Sequence, residues 1–136
     1  DARLPWDLLI IGVTAQLSIR SRDMSTAQTL VNLGLERANE SNQPYWDPEF
    51  YRLKGLAVAR TDPAAGRVHL CTALAKAQAQ QSLIFELRAA MGMANVFPSD
   101  HDTVQVLETT YAKMNGGPEF EDVRQARDLI QTVSAS

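Results

Sequence analysis

Two histidines and one cysteine are the residues of this chain best suited to catalysis or metal binding. His69 and His101 fall in different predicted helices, and neither has a Cys, Asp or Glu partner at metal-ligand spacing. We expect a solvated capping role at a helix start for His101 and a partly exposed position between helices for His69. Cys71 follows Leu70, which is predicted to be buried, so we expect a packed thiol rather than a nucleophile.

Paired carboxylates and a glycine-rich segment also fit structural roles better than catalytic ones. Asp100/Asp102 and Glu119/Glu121 lie at predicted helix starts, where acidic side chains interact favourably with the helix dipole. The segment Gly116–Pro118 ends a predicted helix instead of joining a strand to a helix, so it does not fit a phosphate-binding loop. We therefore expect no enzymatic activity, no catalytic residue, no metal site and no cofactor.

Charged side chains on the first helix of each predicted hairpin are better candidates, because they could face a binding groove. Arginine presents a planar fork of N–H donors that suits a carboxylate or an acidic peptide. The alternative is that these charges are solvated or pair with one another, as Glu49 and Arg52 could at i, i+3. The candidates for a concave binding face are Glu49, Arg52, Arg60, Glu86 and Arg88.

Length and composition indicate a single globular domain. The chain has 136 residues, 45% of them hydrophobic and 21% charged, which is enough for one continuous core and a polar surface. A net charge of −3 argues against a general nucleic-acid or anionic-membrane surface. The lone cysteine cannot form an internal disulfide, so nothing requires an oxidising compartment; no signal peptide is visible, and the apolar run of residues 8–13 is too short to span a bilayer. Because the chain opens at Asp1 without a methionine, we expect it to be a fragment of a longer protein.

Helical periodicity runs through the whole chain. Small and apolar residues within 27–38 recur at i, i+3, i+4 and i+7, and no segment alternates like a strand for long. Ser25 with Gln28 predicts a capping box, while Asp47 before Pro48 and Asp62 each predict a helix start. Helices are predicted near residues 5–20, 26–40, 48–60, 63–80, 82–96, 101–115 and 119–133.

The second, fourth and sixth of these helices share one pattern of small and apolar positions. Residues 27, 31, 34, 35 and 38 match 66, 70, 73, 74 and 77 at an offset of 39, and 103, 107, 110, 111 and 114 at a further offset of 37. A period just under 40 with two helices per unit predicts a solenoid of helical hairpins. We expect repeats at residues 5–40, 48–80 and 82–115, followed by a capping helix at 119–133 with a polar outer face.

Small residues in both helices of a hairpin are typical of the tetratricopeptide repeat. The segment Tyr51-Arg52-Leu53-Lys54-Gly55, followed by Asp62-Pro63 and Leu70, resembles that repeat, although the period is longer than usual and Val58 stands where a tyrosine is expected. The resemblance implies an all-α fold of about seven helices, in which antiparallel hairpins stack as a right-handed solenoid. Because a larger side chain would force two backbones apart, we also expect Gly12 and Gly55 to allow close approach of neighbouring helices.

A more specific resemblance covers roughly residues 45–133. The segments Glu49–Gly55, Ala73–Ala77, Glu86–Ala90 and Phe120–Ala126 resemble the C-terminal repeat regions of large bacterial transcriptional and signalling regulators that carry ATPase modules. This resemblance implies a cytoplasmic regulatory domain that binds a protein or another domain of its own chain. The effector domains of such proteins have no counterpart in these 136 residues, so it implies no catalytic or DNA-binding residue here.

The first predicted helix is apolar on nearly all sides, which suggests a second surface. Leu9, Ile10 and Val13 form a candidate self-association face, so a homodimer is an alternative to the protein-interaction reading. A pocket for a small-molecule inducer inside the superhelix is a further alternative. Direct contact with nucleic acid is the least favoured, because the sequence shows no basic face or recognition helix.

Overall fold

The computed structural model describes residues 6–114 and 121–134, which form seven α-helices and no strand. This confirms the all-α class and the number of helices predicted from the sequence. The helices are α1 (Trp6–Arg20), α2 (Met24–Glu40), α3 (Asp47–Val58), α4 (Pro63–Ala79), α5 (Leu83–Val96), α6 (His101–Lys113) and α7 (Glu121–Ser134). Within the described residues, no helix is both long and apolar enough to cross a membrane.

Two predicted helix starts differ from the structure. The capping box of Ser25 and Gln28 is wrong: the carboxylate of Asp23 accepts a hydrogen bond from the backbone N–H of Thr26 at 3.1 Å, so α2 begins earlier. Asp47 is the first residue of α3 and not its N-cap, because a short 3₁₀ turn over Pro44–Trp46 leads directly into the helix.

The start of α4 is as predicted. The carboxylate of Asp62 accepts a hydrogen bond from the backbone N–H of Ala65 at 3.1 Å, and Pro63 is the first helical residue. The cap satisfies a backbone donor that has no partner within the helix, and the proline has no N–H that would need one.

The helices form two rows. Consecutive helices pack against each other, and α1, α3, α5 and α7 also contact one another in series. Within the described part of the chain, the even-numbered helices have no comparable contacts with one another. They form the second row, which packs against one side of the odd-numbered row and leaves its other side uncovered. The odd-numbered row therefore presents one shared face, and side chains from successive helices can meet there.

The even-numbered helices bury equivalent positions. Ala27, Gly66 and Thr103 are buried. The residues four positions further along are also buried (31, 70 and 107), and so are those seven positions further along (34, 73 and 110). The next position is only partly buried in all three helices. The register predicted from the sequence thus corresponds to equal burial in α2, α4 and α6.

A pair of glycines brings α3 and α4 together. A Cβ added to Gly66 would lie 2.7 Å from Cα of Ala59 and 2.8 Å from the carbonyl oxygen of Gly55, which leaves room only for hydrogen. Gly12 is different, since its Cβ would meet only the ring of Phe50 at an ordinary 3.9 Å. Close helix approach is therefore confirmed at Gly55, whereas the same expectation for Gly12 is wrong.

The apolar core has two clusters. One is built from α1, α2 and α3 around Phe50 and Leu53, and the other from α5, α6 and α7 around Leu87 and Leu107. This division follows from the serial packing, because each helix contacts mainly its neighbours along the row.

Candidate binding groove

A continuous groove runs along the face of the odd-numbered helices. Three adjoining cavities of about 210, 210 and 400 Å³ share lining residues, the first two through Gln16, Arg20 and Arg88 and the last two through Leu56 and Asn95. We call this feature the inner groove. Its apolar end is lined by Leu9, Val13, Leu17 and Trp46, its centre by Arg20, Arg52, Arg88 and Asp122, and its far end by Ile19, Leu56, Arg60 and Val96.

Glu49 holds two arginines at the centre of the inner groove. Its carboxylate accepts hydrogen bonds from Arg52, at 2.6 Å from Nε and 3.2 Å from Nη2, and lies 2.8 Å from Nη2 of Arg88. Arg52 also donates to Oε1 of Gln16 on α1 at 2.7 Å. Because Glu49 and Arg52 are both more than nine-tenths buried, these bonds fix the position of the guanidinium groups. The pairing of Glu49 with Arg52 considered from the sequence is therefore present.

Arg88 is the less buried of the two bound arginines. Nearly a third of its side chain is exposed, and its Nε lies 3.8 Å from a carboxylate oxygen of Asp122 on α7. Burial lowers the pKa of the Arg88 guanidinium, Arg52 lowers it further, and the carboxylates of Glu49 and Asp122 oppose both effects. Arg88 is thus a positioned cation that still faces the groove.

The inner groove is richer in cations than the chain as a whole. Four guanidinium groups, from Arg20, Arg52, Arg60 and Arg88, line it together with the carboxylates of only Glu49 and Asp122. The full chain carries a net charge of −3. Neither Arg20 nor Arg60 forms an ion pair with any residue that the structure describes. The groove therefore combines positive charge at its centre with an apolar wall at one end.

The structure brings together four of the five candidates for the concave face. Glu49, Arg52 and Arg88 form the central network, and Arg60 lies at the far end of the groove. Glu86 lies elsewhere: it is buried, and its carboxylate accepts hydrogen bonds from Lys113 at 2.7 Å and Gln78 at 3.4 Å. Since side chains two residues apart on a helix point roughly 200° apart, Glu86 and Arg88 could not have shared a face.

The candidate self-association face divides between two surfaces. Leu9 and Val13 line the inner groove, whereas Ile10 does not and has 62% of its surface exposed. All three side chains are exposed rather than covered by the described helices.

Sequence reasoning missed several groove residues, among them Gln16, Arg20 and Asp122 at its centre. Gln16 and Arg20 have helical spacing on the same side of α1 as Leu9 and Val13, so the spacing alone could have identified them. Asp122 gives no such signal, because its approach to Arg88 depends on how α7 packs against α5.

The residues with catalytic potential lie apart from the groove. His69 is half-buried and stacks on the ring of Tyr51 with 6.4 Å between ring centroids, which confirms the predicted position between helices. Burial lowers the pKa of His69, and the nearby charge of Lys54 adds to this effect. His101 is exposed at the start of α6, as expected, but its expected capping role is wrong, because the cap of that helix is Asp100. The predicted packed thiol is wrong, since Cys71 is exposed.

The remaining chemical motifs add no site. Asp100 and Asp102 lie at the start of α6, as predicted, and Glu121 opens α7, while Glu119 and Gly116–Pro118 lie outside the described residues. Within the described residues, no group of three or more His, Cys, Asp or Glu side chains could hold a metal ion.

Comparison with protein-family models, curated proteins and solved structures found no match to this chain. The geometry of the groove is therefore what indicates a function for this chain. Positioned guanidinium groups beside an apolar wall can bind an anionic group and bury a neighbouring hydrophobic side chain.

Proposed function

We propose that this chain is a helical-repeat interaction domain whose inner groove binds an extended, acidic segment of a protein. The observation that carries the proposal is the centre of the groove, where Glu49 fixes the guanidinium groups of Arg52 and Arg88 while Arg88 remains partly exposed. A guanidinium that is already oriented loses little side-chain entropy when a carboxylate binds it. Arg20 adds a third cation, which has no ion pair among the described residues.

The shape of the groove supports an extended ligand. The three cavities are open and follow one another along the odd-numbered helices. Small-molecule sites are usually enclosed and commonly occupy about 300–1,000 Å³. The two cavities around Arg20 are about 210 Å³ each, below this range, and the third is about 400 Å³, near its lower end. A peptide strand can instead follow the groove and place an apolar side chain against Leu9, Leu17 and Trp46.

The wider setting of the domain is part of the same proposal. The hairpins of residues 5–40, 48–80 and 82–115 are three tetratricopeptide-like repeats of a right-handed solenoid, with residues 119–133 as the cap. Equal burial in α2, α4 and α6 supports this organisation, as does the polar exposed surface of α7. The resemblance to bacterial regulators supports a cytoplasmic role without enzymatic activity, in which the ligand is a partner protein or another domain of a longer chain.

Peptide selection tests the proposal directly. The purified chain is used to select from a randomised decapeptide library displayed on phage, and the selected peptides are then measured by fluorescence anisotropy. We expect enrichment of Asp or Glu next to a large apolar residue, with binding that weakens as salt is raised. Arg20→Gln should weaken binding about tenfold, because one charge-assisted contact is lost. Arg88→Lys should also weaken it, since lysine keeps the charge but lacks the planar fork.

The matched control is Lys54→Gln, which removes the same charge outside the inner groove near His69. This variant should bind the selected peptides as the wild type does. Selection without enrichment of acidic residues would overturn the proposal. Equal affinity of the wild type, Arg20→Gln and Arg88→Lys would overturn it as well.

A further inference from the structure

Asp122 places a carboxylate beside the guanidinium groups at the centre of the inner groove. It lies in the first turn of α7, and its Oδ1 is 3.8 Å from Nε of Arg88. This distance is too long for a hydrogen bond, so the two side chains attract each other only through their charges. Each of them is 31% exposed, which leaves both open to a ligand in the groove.

The packing of α7 holds Asp122 in this position. Ala126 is fully buried in the cluster that α7 forms with α5 and α6, and Val123 packs against the same cluster. Since residues four positions apart share a face of a helix, Asp122 lies on the same side of α7 as Ala126. Glu121 is also in the first turn, but it is exposed, pairs with Arg124 and lines none of the three cavities of the groove.

The two carboxylates leave little net charge at the centre of the groove. Arg20, Arg52 and Arg88 each contribute a positive charge, and Glu49 and Asp122 each contribute a negative one. One positive charge therefore remains, which balances a single carboxylate of a ligand. A phosphate monoester carries about two negative charges at pH 8, because its second pKa is about 6.

An anion bound by Arg88 cannot avoid the charge of Asp122. An oxygen atom that accepts from Nε of Arg88 at about 2.9 Å lies at most about 7 Å from the Asp122 carboxylate. This is shorter than the distance of about 8 Å over which physiological salt screens charges. The repulsion is also about twice as large for a dianion as for a monoanion, since the Coulomb energy is proportional to the charge.

We infer that Asp122 is a specificity-determining residue of the inner groove, which selects a carboxylate over a phosphoryl group as the anion that the ligand places on Arg88. The inference rests on the proposed peptide-binding function. Asp122 acts through an unfavourable contact with the wrong ligand, which is a common source of specificity. Phosphorylation of a serine in a partner would therefore not replace an Asp or Glu at the same position.

The first test compares two forms of one decapeptide enriched by the phage selection. One form keeps the acidic residue, and the other has phosphoserine in its place. By fluorescence anisotropy at pH 8, the wild type should bind the acidic form about tenfold more tightly. Asp122→Asn should bind both forms more tightly but should gain more for the phosphorylated one, so that the preference disappears or reverses.

Glu121→Gln is the matched control, because it removes a carboxylate from the same turn of α7 outside the groove. It changes the net charge and the interaction with the helix dipole as Asp122→Asn does, and it should keep the preference of the wild type. If Asp122→Asn keeps this preference, or if Glu121→Gln loses it as well, peptide binding stands but the role of Asp122 is refuted.

A second measurement needs no peptide. The Nε–H signals of arginine are followed by NMR while inorganic phosphate is added at constant ionic strength, and Arg88→Lys identifies the signal of Arg88 by its loss. Asp122→Asn should bind phosphate about tenfold more tightly than the wild type and Glu121→Gln, with a saturable shift of the Arg88 signal. Equal phosphate affinity of Asp122→Asn and the wild type would contradict the role of Asp122. A selection that yields no binding peptide would instead contradict the proposed function.

Discussion

Glu49 is a buried carboxylate shared by two guanidinium groups, one from its own helix and one from α5. A buried ion pair adds little net stability, because both charges lose their hydration. Removal of one member is costly, however, since the remaining charge is left buried without a partner. The central network therefore acts mainly to hold Arg52 and Arg88 in one orientation, and the stability of the fold depends on keeping it complete.

Glu49→Gln should lower the free energy of unfolding by about 3 kcal/mol, because Arg52 and Arg88 would lose the carboxylate that balances them. Urea denaturation followed by circular dichroism measures this change. Asp7→Asn is the control: it removes an exposed carboxylate 3.5 Å from Arg37 and should change stability by less than about 0.5 kcal/mol. Equal effects of the two substitutions would mean that Glu49 is better solvated than its burial indicates.

At the scale of single elements, three helices end in the same turn without a glycine. Arg22, Asn42 and Gln81 have positive φ values of 64°, 54° and 56°, after α1, α2 and α4 respectively. In each turn the next residue donates its backbone N–H to a carbonyl five positions earlier, for example from Asp23 to Ser18 at 2.8 Å. This is the Schellman arrangement, which satisfies carbonyl groups at the helix end. Sequence reasoning that relies on glycine as the stop signal cannot detect it.

The two glycines Gly12 and Gly66 should respond to alanine in opposite ways. Gly12→Ala should raise the free energy of unfolding by up to about 1 kcal/mol, because alanine favours the helix and its Cβ meets only ordinary contacts. Gly66→Ala should be destabilising despite the same gain, since its Cβ would overlap backbone atoms of α3 that cannot rotate away. Thermal and urea unfolding of both variants measure the difference. Stabilisation by Gly66→Ala would show that α3 and α4 can separate at little cost.

For the molecule as a whole, the two apolar clusters imply that stability is distributed along the row of helices. Leu53 belongs to the cluster of α1–α3 and Leu107 to that of α5–α7, and both are almost fully buried. In a row where each helix contacts mainly its neighbours, local opening can occur at one end while the other stays folded.

Leu107→Ala and Leu53→Ala should each cost about 2–5 kcal/mol, since both leave a cavity in a packed cluster. Native-state hydrogen exchange should show which helices are destabilised by each substitution. Leu107→Ala should reduce amide protection mainly in α5–α7, and Leu53→Ala mainly in α1–α3. A uniform loss of protection in both variants would instead identify the whole chain as one cooperative unit.

The sequence by itself determined the helices and their register. Helical periodicity and Asp62 before Pro63 are local signals, and the shared pattern of α2, α4 and α6 corresponds to equal burial in the structure. These features depend on residues only a few positions apart, so they can be predicted without knowledge of the tertiary structure. The approach of Gly55 to the next helix was also predicted, because a larger side chain would force the two backbones apart, but the same expectation was wrong for Gly12.

Only the tertiary structure decided what each charged or reactive side chain faces. The contact of Arg52 with Gln16 spans 36 positions of the chain, and Arg88 meets Asp122 across two helices. Such contacts depend on how each helix is rotated about its axis and on the angle at which two helices cross. Helical periodicity predicts only which face of a helix is buried. For the same reason Cys71 is exposed, although it adjoins a residue whose burial the pattern predicted. The separation of Glu86 from Arg88, by contrast, already follows from helical geometry, because side chains two positions apart point roughly 200° apart.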